Sequence, residues 1–235
     1  MTTPRSRRER PAKPALTRAG IIAAALAILR AEGLAKLTMR RLAAELDTGA
    51  ASLYVYVRNT AELHAAVLDE LLGEVDLKPA AGGWPERLEA VLTSYAAVLF
   101  RYAGLAQSAL VARPSGANYL RLLDTLLALL AEGGVPVGQA AWGVDLLLQH
   151  ATATAAEHAD ERPVAEWQAV FTAVRDASPR THPHLAAART ELVSGAPEER
   201  LSWAFRALLA GIVRTPLDEQ RWSNNAGATT LKEQR

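Results

Sequence analysis

Cysteine is absent from all 235 residues, which removes a disulfide framework, a thiolate nucleophile and cysteine-ligated zinc together. No run of about 18 uncharged apolar residues occurs, so no membrane span is expected. The basic start MTTPRSRRERPAKPALTR is not followed by an apolar stretch with a small-residue cleavage site, and a cytoplasmic protein is expected. Polar–apolar alternation is missing as well, so no strand is expected. G-x-S-x-G, P-loop and G-x-G-x-x-G motifs are missing, and the carboxylates are scattered along polar faces, so an enzyme is not expected. His150 with His158, and His182-x-His184, lack carboxylates at ligand spacing; neither a metal nor another cofactor is expected.

What is present is apolar and helical. Half of the residues are hydrophobic, enough for a sizeable core. Net charge is +1, but it is unevenly spread: up to Arg58 there are 11 lysines and arginines against 4 acidic residues, and beyond it 15 against 21. A basic quarter on an acidic remainder points to a polyanion-binding head on a body with another task. Five of those 11 cations lie between Arg5 and Lys13, in an arm expected to be flexible over residues 1–15.

Ile21, Ile22, Ala25, Leu26 and Leu29 recur at helical spacing, with Thr17 as N-cap and Gly33 as stop, which predicts a helix over 17–32. Thr38 caps a short helix carrying Leu42 and Leu46. Asp47 to Ala50 (DTGA) is a turn, and a third helix follows over 50–56, with Leu53 and Val57 pointing inward. Asn59-x-x-Glu62 is a capping box that opens a fourth helix with Leu63, Val67, Leu71 and Val75 on its apolar face. Lys78 to Glu86 (KPAAGGWPE) interrupts the pattern. Further helices are expected over 85–101, 104–112, 117–132, 137–159, 164–177, 184–194 and 197–214, and a loose polar tail over 216–235. The fold class is all-α: a helix-turn-helix domain over 16–62, then a helical body over 63–215.

Two phenols and an arginine stand close together in ASLYVYVRNTAEL, Ala51 to Leu63. A short helix, tight turn and short helix suit DNA, because the major groove admits one helix entering N-terminus first. With Leu42, Leu46, Leu53 and Val57 holding the helices together, Ala50, Ala51, Ser52, Tyr54, Val55 and Tyr56 are left at or near the outer surface. Alanine methyls can meet thymine methyls and a serine hydroxyl can meet a base edge. The hydroxyls of Tyr54 and Tyr56 suit phosphate oxygens, which position without specifying sequence.

The stretch LTMRRLAAELDTGAASLYVYVRNTAELHAAVLDELL resembles the DNA-binding head of the tetracycline-repressor (TetR) family, through Leu37 to Ala43 and Ser52 to Tyr54 with the Asn-Thr continuation. The resemblance implies that Thr38, Met39, Arg40 and the exposed part of the third helix touch DNA, with Arg40 matching a guanine-reading arginine. Asp47 replaces the family's usual turn glycine, and a slightly strained turn is expected. Thr60 stands where a phosphate-binding lysine is common, and Ala50 and Ala51 replace a more polar start, so the operator is expected to differ from that of the tetracycline repressor.

From Trp84 to Glu157 the chain is similar to the tetracycline-repressor branch, through Trp84, Arg113-Pro114 and Tyr119. That implies a body that dimerises and binds a small effector. The implied four-helix dimer interface falls on 137–159 and 197–214, with Leu201, Phe205, Leu208 and Ile212 along one stripe of the second. Candidate effector contacts are Tyr95, Gln107, Asn118, Trp142, Gln149, His150 and Trp167. Ala109 stands where that repressor's magnesium-binding histidine would fall, Val91 where a drug-contacting asparagine would, and Tyr95 where a phenylalanine would. Magnesium–tetracycline is therefore not the expected effector. The sequence thus predicts an effector-responsive repressor that binds double-stranded, palindromic operator DNA as a homodimer. The alternative is a regulator without a small-molecule effector, constitutive or controlled by a protein partner.

Overall fold

Thr17 accepts a hydrogen bond from the Gly20 N–H at 3.1 Å and so starts α1 (Arg18–Glu32). In the computed structural model, which describes residues 15–157 and 163–217 and of 163–167 the backbone only, every element is helical. The basic arm up to Pro14, His158 and the tail beyond Leu217 lie outside the described residues. The chain divides into two units, Met1–Val67 and Leu68–Arg235. The division falls inside a helix, later than the expected end of the head at residue 62.

In the first unit, Ile21, Ile22, Ala25, Ile28 and Leu29 form the buried stripe of α1. Gly33, at φ 82°, ends the helix in a backbone conformation that side-chain-bearing residues rarely adopt. Thr38 Oγ1 accepts from the Arg41 N–H at 3.1 Å and opens α2 (Met39–Glu45). The turn closes with the Thr48 N–H on the Ala43 carbonyl and Asp47 at φ 46°, the left-handed conformation expected there. Then α3 runs only from Ala50 to Leu53, shorter than the predicted 50–56, with Tyr54–Tyr56 forming a turn. Tyr54, Val55 and Tyr56 are weak helix formers, and Val55, 81% exposed, has no packing to extend the helix. Asn59 Oδ1 accepts from the Glu62 N–H at 2.8 Å at the start of α4 (Thr60–Leu71). The other half of the capping box differs: the Glu62 carboxylate takes the Arg58 N–H, at 2.8 Å.

The second unit is built from α5 (Trp84–Arg101), α6 (Ala103–Val111), α7 (Ala117–Glu132) and α8 (Val137–Glu157). It continues with α9 (Pro163–Asp176), α10 (Pro183–Ala187), α11 (Arg189–Leu192) and α12 (Pro197–Arg214). Helix α8 packs against α5, α6, α7 and α12, so it is buried over most of its turns. Its contact with α12 depends on Gly143, where an added Cβ would lie 2.9 Å from Ile212.

The α12 stripe faces differently from the expectation. Leu201, Phe205 and Ile212 are buried within their own chain, Leu208 is half-buried, and the His150 ring meets Phe205 edge-on at 6.1 Å between centroids. A helical stripe records that a face is covered without saying by what. The outward face carries Trp203, Ala207, Ala210 and Gly211, and Trp142 and Leu146 of α8 are exposed as well.

Candidate DNA-reading surface and effector cavity

In the head, capping and packing decide which side chains remain outside. Met39 is only 7% exposed and belongs to the core with Leu42 and Ala43, so the expected DNA contact by Met39 is corrected. The first residue of α2 lies one turn before Leu42 and Ala43 and shares their buried face. Thr38 is exposed while its hydroxyl is committed as the cap. Arg40 is exposed. Its neighbour Arg41 is held by Glu32 at 2.6 Å and Glu45 at 2.8 Å, and those bonds raise the guanidinium pKa and lower that of Glu32. Ala51, Ser52, Tyr54 and Thr60 are exposed, and Ala50 and Tyr56 are half-buried. Ala50, Ala51 and Ser52 therefore stand in the first turn of α3, following the N-cap Gly49.

Behind this surface, a ring N–H of His64 on α4 donates to the Leu37 carbonyl, next to the Thr38 cap. Burial holds the imidazole below its ordinary pKa, outweighing that hydrogen bond. The folded head therefore favours neutral His64. Its contribution to stability is full above the unfolded-state pKa and is lost as pH falls through the folded value. The head is expected to melt at a lower temperature at about pH 5.5 than at about pH 7.5. His64→Gln should shrink that difference in melts followed by circular dichroism; an unchanged difference would exclude His64 as the cause.

In the body, a cavity of about 60 Å³ is lined by Tyr95, Ala109, Leu110, Arg113, Pro114, Tyr119, Leu148, Gln149 and Thr152. Tyr95 is 3% exposed, and its hydroxyl lies 2.7 Å from Thr152 Oγ1. Thr152 spends its proton on the Leu148 carbonyl at 2.7 Å, so Tyr95 is the donor of the pair. Burial pushes the Tyr95 phenol up to about 12, and burial also raises Tyr119, against the pull of Arg113. Both phenols are neutral donors at physiological pH. Arg113 is paired with Asp145 at 2.5 Å, and that bond holds the guanidinium above its ordinary pKa.

Of the expected effector contacts, Tyr95 and Gln149 line this cavity. Gln107 instead donates to the Ala156 carbonyl at 3.3 Å, Asn118 accepts from Arg121, Trp142 is 50% exposed and His150 turns to Phe205. The side chain of Trp167 lies outside the described residues. Sequence reasoning missed Leu110, Leu148 and Thr152, and it noted Arg113, Pro114 and Tyr119 without assigning them to a pocket. The signal was there in the Arg-Pro pair and the tyrosine six residues beyond Arg113. A second, open groove of about 680 Å³ lies along α9 and α11, between residues such as Phe171 and Val193. It lacks the buried polar floor of the first. Among the described residues, no group of three or more His, Asp or Glu could hold a metal, and no helix is long and apolar enough to cross a membrane.

A helix-turn-helix head presenting small residues, an arginine and phenols, on one chain with a helical body, is the architecture of a DNA-binding protein. Residues 21–67 match the model for bacterial regulatory proteins of the tetR family, and residues 78–215 match the tetracyclin repressor-like C-terminal domain. The chain belongs to the TetR family. It is similar to the HTH-type transcriptional repressor DrrR1 of Streptomyces coeruleorubidus, 42% identical over 103 residues, which are 43% of this chain and 38% of that protein. The match thus spans well under two thirds of that relative's length. The crystal structure of SCO7704 from Streptomyces, described as a transcription regulator, is 60% identical with a TM-score of 0.79, over 87% of this chain and 98% of that one. Streptomyces coelicolor ActR in complex with actinorhodin is 32% identical with a TM-score of 0.73, over 85% and 96%.

Proposed function

We propose that the chain is an effector-responsive repressor, acting in the cytoplasm as a homodimer on a palindromic operator, and not an enzyme. The observation that carries this reading is the joining of two features in one chain. A head exposes Arg40 on α2 and Ala51 and Ser52 in the first turn of α3, and a body of the tetracyclin repressor-like family holds a cavity floored by buried hydroxyls. Similarity to ActR, crystallised with actinorhodin, supports a small molecule in the body, and similarity to DrrR1 supports repression. Two heads match a two-fold operator. The exposed Trp203 and Trp142, with small Ala207, Ala210 and Gly211 beside Trp203, offer α8 and α12 as the subunit interface.

One observation favours a second reading. A cavity of about 60 Å³ is small against the ~300–1,000 Å³ usual for ligand sites, so a drug-sized effector enters only if a wall moves. A regulator without a small-molecule effector would have no need of that movement. Selection of duplexes from a random pool by the purified protein, followed by titration of the winner at several salt concentrations, tests both readings. The repressor reading expects an enriched palindrome that a cavity-binding small molecule releases. Purely unselective, steeply salt-dependent binding would overturn it, since phosphate contacts alone behave so. A palindrome that no cavity-binding compound releases would favour the second reading.

A further inference from the structure

The cavity has one charged lining residue, Arg113, and no lining carboxylate. Its guanidinium is held through Nη1 by Asp145 Oδ1 at 2.5 Å, and the two side chains are 54% and 55% exposed. An exposed pair of this kind contributes little and is cheap to exchange. Asp145 occupies one end of a planar fork that can grip a carboxylate through two parallel bonds, and Asp145 itself does not line the cavity. Around Arg113 the walls are apolar, with Ala109, Leu110 and Pro114, while Tyr95 and Tyr119 supply hydroxyls. An anion entering here meets one cation and donors, and an apolar body behind it meets carbon.

We propose that the cavity takes an apolar acid whose anion replaces Asp145 as the partner of Arg113. This rests on the effector reading above and names the chemical class of the effector. Exchange also supplies the wall movement that the small volume demands, because Arg113 and Pro114 are themselves wall. A ligand that pulls Arg113 away from Asp145 moves the segment between α6 and α7, and so opens the space its apolar body needs.

Calorimetric titration of the full chain with 2-naphthoic acid and with 2-naphthamide, which share their rings, tests the exchange. The acid is expected to bind about tenfold tighter or more, a difference typical of a charge-assisted pair. Arg113→Gln should abolish that preference. Asp145→Asn, which removes the competitor, should raise affinity for the acid severalfold and leave the amide unchanged; a merely structural role for Asp145 would move both alike. Equal binding of acid and amide, or a preference that survives Arg113→Gln, overturns the proposal. If the two bind equally and Ala109→Trp abolishes both, the acid class falls while the effector cavity stands. Binding of neither overturns the acid class and favours the regulator without a small-molecule effector.

Discussion

A Gly116→Ala variant should unfold its body roughly 6–12 °C below the parent, from a cost of about 3 kcal/mol at roughly 2–4 °C per kcal/mol. Gly116 is the N-cap of α7 and has no side chain with which to cap it. The missing acceptor comes from Asp69, in the last turn of α4, which is only 7% exposed. Its Oδ1 accepts from the Tyr119 N–H at 2.9 Å and its Oδ2 from the Asn118 N–H at 3.4 Å. A carboxylate there satisfies two orphan amides and complements the positive end of the helix dipole. The approach is so close that a Cβ on residue 116 would lie 2.1 Å from Oδ2 and 2.3 Å from Cγ. The methyl must expel the carboxylate, which leaves the amides without a partner and the charge without compensation.

A double-mutant cycle separates this account from ordinary glycine effects. In an Asp69→Ala background the space is vacant and the cap already lost, so Gly116→Ala should then cost little. The coupling is expected to exceed about 1 kcal/mol; equal costs in the two backgrounds would show that Gly116 is required for a reason other than Asp69. The anchored amide belongs to Tyr119, whose side chain lines the cavity proposed for the effector. A ligand that shifts Tyr119 therefore works against the Asp69 cap. Asp69→Asn keeps the shape but weakens that hold, and it should lower the effector concentration needed for operator release.

Local chemistry made most of the head legible in advance. Thr17 and Thr38 cap as their spacing requires, Asn59 accepts the amide of Glu62, and Asp47 takes the left-handed turn position. Each feature is decided within four residues, where chain geometry leaves few alternatives. The cavity was less legible because it depends on helix register. His150 and Thr152 are two residues apart on α8, and at about 100° of turn per residue they point nearly opposite ways. Thr152 reaches Tyr95 and His150 reaches Phe205. Either could be proposed from polarity alone; only the packing of α5, α6 and α12 around α8 decides between them. The α12 stripe was ambiguous for a related reason, since burial against α8 and burial against a second subunit leave the same periodicity. Met39 shows the reverse: a resemblance assigned it to DNA, while its place one turn before Leu42 and Ala43 puts it in the core.

Arg40→Ala should weaken operator binding by about 1–3 kcal/mol, roughly fivefold to over a hundredfold, and relax selection at a single base pair of each half-site. Its melting temperature should stay that of the parent. Arg41→Ala should do the opposite, lowering the melting temperature while leaving base selection intact. The two arginines are adjacent in sequence and equal in charge, so net electrostatics predicts the same outcome for both. Their partners differ. Arg41 is engaged by Glu32 from α1 and by Glu45 one turn on, which ties α1 to α2 and uses its fork. Arg40, exposed in the first turn of α2, can offer its fork to the O6 and N7 of a guanine. Tyr54→Phe provides the comparison for a phosphate contact, with a loss spread evenly over all sequences and a shallower salt dependence. Duplex selection repeated with each variant reads these patterns directly. Uniform weakening by Arg40→Ala, without relaxation at any position, would reassign Arg40 to the phosphate backbone and leave base reading to Ala51 and Ser52.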